Sequence, residues 1–169
     1  MTTARLNDQP KVHLPIDSPE RRRLPSLLRR SWYGLNQAFR RRIAHLGVTP
    51  DQFTVMRTLL EGDPRGMSQQ ELTHVMSSDP NTVASLLERM EAAGLVARKP
   101  HEKDRRARRI QLQPTGKSIY DEAREVALRL QADVLEVLPA ARREEFFHDL
   151  SLIADRCRSA ADASPKGSK

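Results

Sequence analysis

Cysteine, aromatic residues and long apolar runs are all scarce in this 169-residue sequence. A single cysteine, Cys157, excludes an intramolecular disulfide framework and a cysteine-rich zinc site. No stretch approaches the roughly 20 apolar residues that a membrane helix needs. Met1–Pro10 also lacks the apolar stretch of a secretory signal. There is no glycine-rich phosphate loop, no nucleophile motif and no carboxylate cluster, which argues against an enzyme. His13, His45, His74, His101 and His148 are scattered, with no pair at metal-ligand spacing, so no metal or other cofactor is expected. Aromatics make up only 4% of the chain and apolar residues 38%. That is a thin core for the length, so either the ends are disordered or subunits bury surface against each other. The expectation is a soluble, cytoplasmic protein with no membrane partner.

Acidic residues are also in the minority. Against 22 Asp and Glu stand 29 Lys and Arg, giving +7 and a pI near 10.2. This balance favours a nucleic-acid partner. The excess sits in two blocks. Residues 1–48 hold ten basic and three acidic side chains, including Arg21–Arg23 and Arg40–Arg42. Residues 98–117 hold eight and two. Residues 49–97, with three and seven, are net negative.

The apolar period is helical almost throughout. Residues 1–23 are polar and proline-bearing, and read as a flexible arm. Leu28, Trp32, Leu35, Phe39, Ile43 and Leu46 form one stripe of a long helix, which Gly47 ends. Thr49-Pro50 is an N-cap followed by a first-turn proline. Phe53, Met56, Leu59 and Leu60 are the buried stripe of the next helix. Ser68-Gln-Gln-Glu71 is a capping box, opening a short helix with Leu72, Val75 and Met76 on its apolar face. Asp79-Pro80 caps another, packed by Val83, Leu86, Leu87 and Met90 and stopped by Gly94. Leu95–Pro100 and Arg109–Gln113 read as strands around a polar tip, His101–Arg108. Thr115 is expected to cap a long helix bearing Ile119, Ala123, Val126, Leu130, Val134 and Val137, which ends by Pro139. Phe146, Leu150, Ile153 and Cys157 mark the last helix, where Cys157 is expected as a buried thiol.

A short helix, a tight turn, a second helix and a two-stranded hairpin make a winged helix-turn-helix, in a fold that is otherwise mainly α. Packing Val83, Leu86, Leu87 and Met90 inward leaves Asn81, Thr82, Ser85 and Arg89 outward. A helix presented this way can enter a major groove, and its free N–H groups can hold a phosphate. In the hairpin, Lys103, Arg105, Arg106, Arg108 and Arg109 crowd around Asp104, which is expected to brace the tip. Strands of like charge repel unless something negative faces them, and a DNA backbone would serve. The expected DNA contacts are Ser68, Asn81, Thr82, Ser85, Arg89, Arg98, Lys103, Arg105, Arg106 and Arg108.

These residues resemble the MarR family of transcriptional regulators. The likeness rests on Ser68-Gln-Gln-Glu-Leu72, Asn81-Thr-Val83, Leu87-Glu-Arg-Met-Glu91, Gly94-Leu-Val96, Arg98, Asp104-Arg-Arg-Ala107 and Leu112 to Gly116. Ala84 and Ser85 stand where Thr and Arg are common in the family, and Gln113 where Thr is usual. The resemblance implies a homodimer on a palindromic double-stranded operator, probed by one winged domain on each flank. It divides the chain into an arm (1–23), an N-terminal dimerisation helix (24–48), a winged helix-turn-helix domain (49–114), C-terminal dimerisation helices (115–160) and a disordered tail (161–169). It also implies repression relieved by a small aromatic carboxylate or phenol. Trp32, Tyr33, Asn36, Arg40, Phe53 and Arg57 lie on the two helices that would line such a site. The Arg-rich first helix leaves room for a bulkier anion such as an aromatic acyl-CoA thioester. The competing classes are a winged-helix protein-interaction module and a non-specific architectural DNA-binding protein.

Overall fold

A computed structural model describes residues 23–100 and 108–163. The arm 1–22, the hairpin tip with Lys103, Asp104, Arg105 and Arg106, and residues 164–169 lie outside the described residues. Among the described residues, six α-helices and one antiparallel pair of strands follow in the order α1 (Leu24–Arg42), α2 (Pro50–Glu61), α3 (Gln69–Val75), α4 (Pro80–Ala92), β1 (Val96–Pro100), β2 (Arg108–Leu112), α5 (Pro114–Leu135) and α6 (Arg143–Ala163).

The local signals explain most boundaries. Thr49 caps α2 with its hydroxyl accepting from the Gln52 N–H, and the Gln52 side chain accepts from the Thr49 N–H in return. Pro80 occupies the first turn of α4, where its missing N–H leaves no helical bond unmade. Gly47 and Gly94 close the preceding helical segments with positive φ.

Several details differ from the sequence-based expectations. β1 starts one residue later and β2 lies one residue earlier, and Leu60 and Val75, expected on apolar faces, are exposed. The first helix stops at Arg42, and a 3₁₀ turn over Ala44–Leu46 carries the chain to Gly47. α5 begins at Pro114 with Gln113 extended before it, so Thr115 falls inside the helix. The Gln113 N–H is already spent on the Leu95 carbonyl, which holds that residue in strand geometry. α5 ends at Leu135, leaving Val137 beyond it and 84% exposed. α6 runs three residues into the segment expected to be a tail, carried by the strong helix formers Ala160, Ala161 and Ala163.

The core lies within the middle of the chain. Val55, Met56, Leu72, Val83, Leu87, Met90 and Ile110 are fully buried together. Each such side chain contributes about 1.5–3 kcal/mol over its exposed state. α1 joins this core through Phe39, with Ile43 just after it, and α5 through Tyr120, Ala123 and Leu130. Phe39 meets Phe53 edge-on at 4.9 Å, and Phe53 stacks on Tyr120 at 5.2 Å. Arg42 bonds Asp133 at 2.8 Å, tying the far ends of α1 and α5.

α6 has no buried residue in the single chain, and Cys157, expected inside, is exposed. Among the described residues, none buries the face that carries it. Leu24, Leu27, Trp32, Tyr33 and Leu35 on α1, Leu128 and Val134 on α5, and Phe146, Phe147 and Leu152 on α6 are likewise exposed.

Gly116, in the first turn of α5, fixes how that helix meets the hairpin. A Cβ there would lie 2.3 Å from the Leu95 carbonyl oxygen and 2.7 Å from Leu112 Cδ1. Neither backbone nor packed leucine can yield easily. Gly116→Ala is therefore expected to destabilise the protein by about 2 kcal/mol, read as a lower urea midpoint. An unchanged midpoint would mean that α5 does not sit this close to β1.

Candidate nucleic-acid interface

The helical pair is built by caps. The Ser68 hydroxyl accepts the Glu71 N–H at 3.2 Å, and the Ser68 N–H donates to the Glu71 carboxylate at 2.6 Å. The Ser68 N–H first, and its hydroxyl second, hold the Glu71 carboxyl below its ordinary pKa. Ser77 turns the chain between α3 and α4 with a φ of 49°, rare for a non-glycine residue. The Gln69 side-chain amide donates to the Pro80 carbonyl, bracing the start of α4 against α3.

The N-terminus of α4 is occupied. Asp79 accepts the Asn81 and Thr82 N–H groups at 3.1 and 2.9 Å, and the Thr82 hydroxyl donates to its other oxygen. The Thr82 hydroxyl is the largest cause of the lowered Asp79 pKa, followed by the Thr82 N–H. The expectation that free N–H groups here could hold a phosphate is corrected. Two are satisfied, and an exposed carboxylate stands in front of them. Thr82 is turned toward the cap.

Among the described residues, no hydrogen bond or ion pair engages the outward side chains of Asn81, Ser85 and Arg89. Asn81, Ser85 and Arg89 are exposed, and among the described residues Arg89 makes no ion pair. They recur at four-residue spacing and so share one face. Their inward counterparts Val83, Leu86, Leu87 and Met90 hold that face outward.

The hairpin strands pair in the register Arg98↔Ile110, Lys99↔Arg109 and Pro100↔Arg108. Lys99 and Arg109 thus lie directly opposite, an unfavourable like-charge pair. The relief comes from the chain's own acids. Arg98 bonds Glu91 through both its backbone N–H and its guanidinium, joining β1 to the end of α4. Arg109 donates to the Gly66 carbonyl at 2.6 Å and lies 3.3 Å from Asp63. Asp63 also takes the Arg65 side chain and N–H. Those Arg65 bonds first, with the charges of Arg65 and Arg109 adding, keep Asp63 well below the usual carboxylate range. Sequence reasoning missed this cluster, because Asp63 lies 46 residues before Arg109. For Arg98 and Arg109 the facing negative charge is thus supplied by the chain itself, through Glu91 and Asp63. Arg108 and Lys99 at the distal end are exposed.

A second feature is a cleft of about 190 Å³ between α2 and α5, lined by Phe53, Arg57, Tyr120, Arg124, Leu128 and Gln131, among others. Arg57 pairs with Glu61 at its edge. Of the residues expected around an effector, Phe53 and Arg57 line this cleft. Trp32, Tyr33, Asn36 and Arg40 do not; Trp32 and Tyr33 are 64% and 59% exposed on α1. Among the described residues no His, Cys, Asp and Glu cluster could hold a metal, and no helix is long and apolar enough to cross a membrane.

A MarR family model matches residues 48–107. Among solved structures, a MarR family protein from Bacillus stearothermophilus is 31% identical, with a TM-score of 0.65 over 80% of this chain and 93% of that one. The transcriptional repressor CouR, bound to a 23-mer DNA duplex, is 25% identical, with a TM-score of 0.73 over 83% and 98%. BpsR of Bordetella bronchiseptica, whose DNA binding is regulated by 6-hydroxynicotinic acid, is 25% identical, with a TM-score of 0.71 over 79% and 94%. No curated protein matches the sequence.

The three depressed carboxyls set an acid limit. Asp63, Glu71 and Asp79 each favour the folded state while ionised, so their contribution is complete above the ordinary carboxylate range. It is lost as pH falls through their lowered values, below about pH 4. Melting temperature should drop steeply there. Asp63→Asn should melt lower at pH 6 and fall less steeply in acid. Parallel curves for the two proteins would remove Asp63 from this account.

Proposed function

The chain belongs to the MarR family of DNA-binding transcriptional regulators, and on that premise we propose that it acts as a homodimeric repressor of a palindromic operator. One observation carries the DNA reading. The open polar face of α4, with Asn81, Ser85 and Arg89, lies in the unit that ends in a hairpin carrying exposed Lys99 and Arg108. Asn81, Ser85 and Arg89 would meet base edges. Arg108 would meet phosphates, with Lys103, Arg105 and Arg106 of the tip assigned there on sequence alone. Ser68, at the cap of α3, would approach the backbone, while Thr82 and Arg98 would act through Asp79 and Glu91.

The exposed apolar residues of α1, α5 and α6 support the dimer. They are the surface that a two-fold partner would bury. Two winged units then probe half-sites about 10 bp apart.

For the effector, the cleft between α2 and α5 offers Phe53 and Tyr120 as a wall and Arg57 and Arg124 as anion partners. Its size suits a single-ring aromatic carboxylate or phenol. An aromatic acyl-CoA thioester would need the basic α1, with Arg40, to hold its phosphates outside. Binding there would release the DNA, as a population shift requires different affinity for the two states.

Fluorescence anisotropy on the upstream intergenic DNA and on scrambled DNA, over a salt series, tests the reading. Specific binding that weakens steeply with salt is expected, from a particle of twice the chain mass by light scattering. Arg106→Ala should abolish specific binding and leave the dimer whole, whereas Asn81→Ala should change base preference more than affinity. Equal binding to both DNAs would indicate an architectural role, and none to either a protein-interaction module.

A further inference from the structure

The root of the wing is fastened far more firmly than a free hairpin. Met67 and Ile110 exchange both backbone hydrogen bonds, at 3.1 and 2.7 Å, so the segment before α3 pairs with β2 as a third, one-residue strand. Gly66 lies so close that a Cβ on it would fall 2.4 Å from the Ile110 carbonyl oxygen, and its φ of +94° suits only glycine. Arg109 and Gln111 alternate with the buried Ile110, so both face the loop between α2 and α3. Gln111 donates to the Arg65 carbonyl at 2.9 Å. Arg109 reaches the Gly66 carbonyl and Asp63, with its side chain only 19% exposed.

We propose that Arg109 is a positioning residue for DNA binding. Clamped between Asp63 and the Gly66 carbonyl, it sets the angle of the wing against α3 and α4 and makes no phosphate contact itself. The geometry separates it from its neighbour Arg108, whose side chain is exposed and, among the described residues, makes no ion pair. Asp63 and the Gly66 carbonyl both take Nη1, which fixes the guanidinium against the loop, and a side chain only 19% exposed presents little of itself outward. Releasing it would leave Lys99 facing an unneutralised cation across the ladder. The wing would then sample orientations in which its tip misses the duplex.

The proposal rests on the DNA-binding reading, and its test separates the two failures. The slope of log affinity against log salt counts phosphates neutralised. Arg109→Gln and Asp63→Asn should each weaken operator binding about tenfold and leave that slope unchanged. The double variant should bind no worse than Arg109→Gln alone, since both remove one clamp. Arg108→Gln should instead lower the slope by about 1. Amide exchange provides a readout without DNA. The Met67 and Ile110 amides should exchange faster in both clamp variants, while the Leu87 and Met90 amides of α4 keep their protection.

A slope lowered by Arg109→Gln, or an affinity untouched by Asp63→Asn, would make Arg109 a phosphate contact and overturn the proposal. Loss of protection in α4 as well would reduce the clamp to general stability, which overturns it too. If the unmodified protein binds no DNA, the functional reading fails, and the exchange data alone decide whether the clamp exists.

Discussion

Like charges placed side by side on a two-stranded ladder are the constraint around which the winged half is arranged. Lys99 stands opposite Arg109, with Arg98 and Arg108 one residue away on either strand. Such a hairpin cannot rest on its own hydrogen bonds. Glu91 at the end of α4 holds one strand, and Asp63 before α3 holds the other. The acidic middle of the chain is thus internal counter-charge for the basic hairpin. The same two ion pairs fix the wing to the helical pair, so neutralising the ladder and orienting it are one event.

The two halves of the molecule differ in how complete they are. The helical pair and hairpin close over a contiguous core from Val55 to Ile110. α1 is buried only at Phe39, with Ile43 buried just beyond its C-terminal end, and α6 not at all. Phe53 connects the halves, edge-on to Phe39 and stacked on Tyr120. The cleft that bears Arg57 and Arg124 opens beside this aromatic stack. A ligand wedged there would press on the joint between the complete half and the incomplete one.

Features set by residues a few positions apart were legible in the sequence. The Ser68–Glu71 box, the Asp79–Pro80 cap and the Thr49–Pro50 start depend on three or four consecutive side chains, and the structure has each. Thr115 misled because Gln113 is pinned by Leu95, a partner 18 residues back that composition cannot reveal. The outward face of α4 was legible from helical period alone. The commitment of Arg98 and Arg109 was not, since an arginine beside other arginines looks the same whether it faces solvent or an acid. One signal was present. Two strands both rich in Arg imply an opposed like-charge pair, and the net-negative segment just upstream was the place to seek its neutraliser. Cys157 misled for a different reason. Its apolar stripe is real, but no element among the described residues covers it.

The Asp79 cap also bears on how such a helix would search for its site. A helix tip that shows a carboxylate is pushed away by any phosphate it meets head-on. Contact of that tip with arbitrary DNA would then be brief, because its carboxylate does not reward proximity alone. On the proposed reading, a groove that satisfied Asn81 beside the cap and Ser85 and Arg89 further along the helix would offset the repulsion. Discrimination would then come partly from rapid departure from wrong sequences rather than from a stronger grip on the right one.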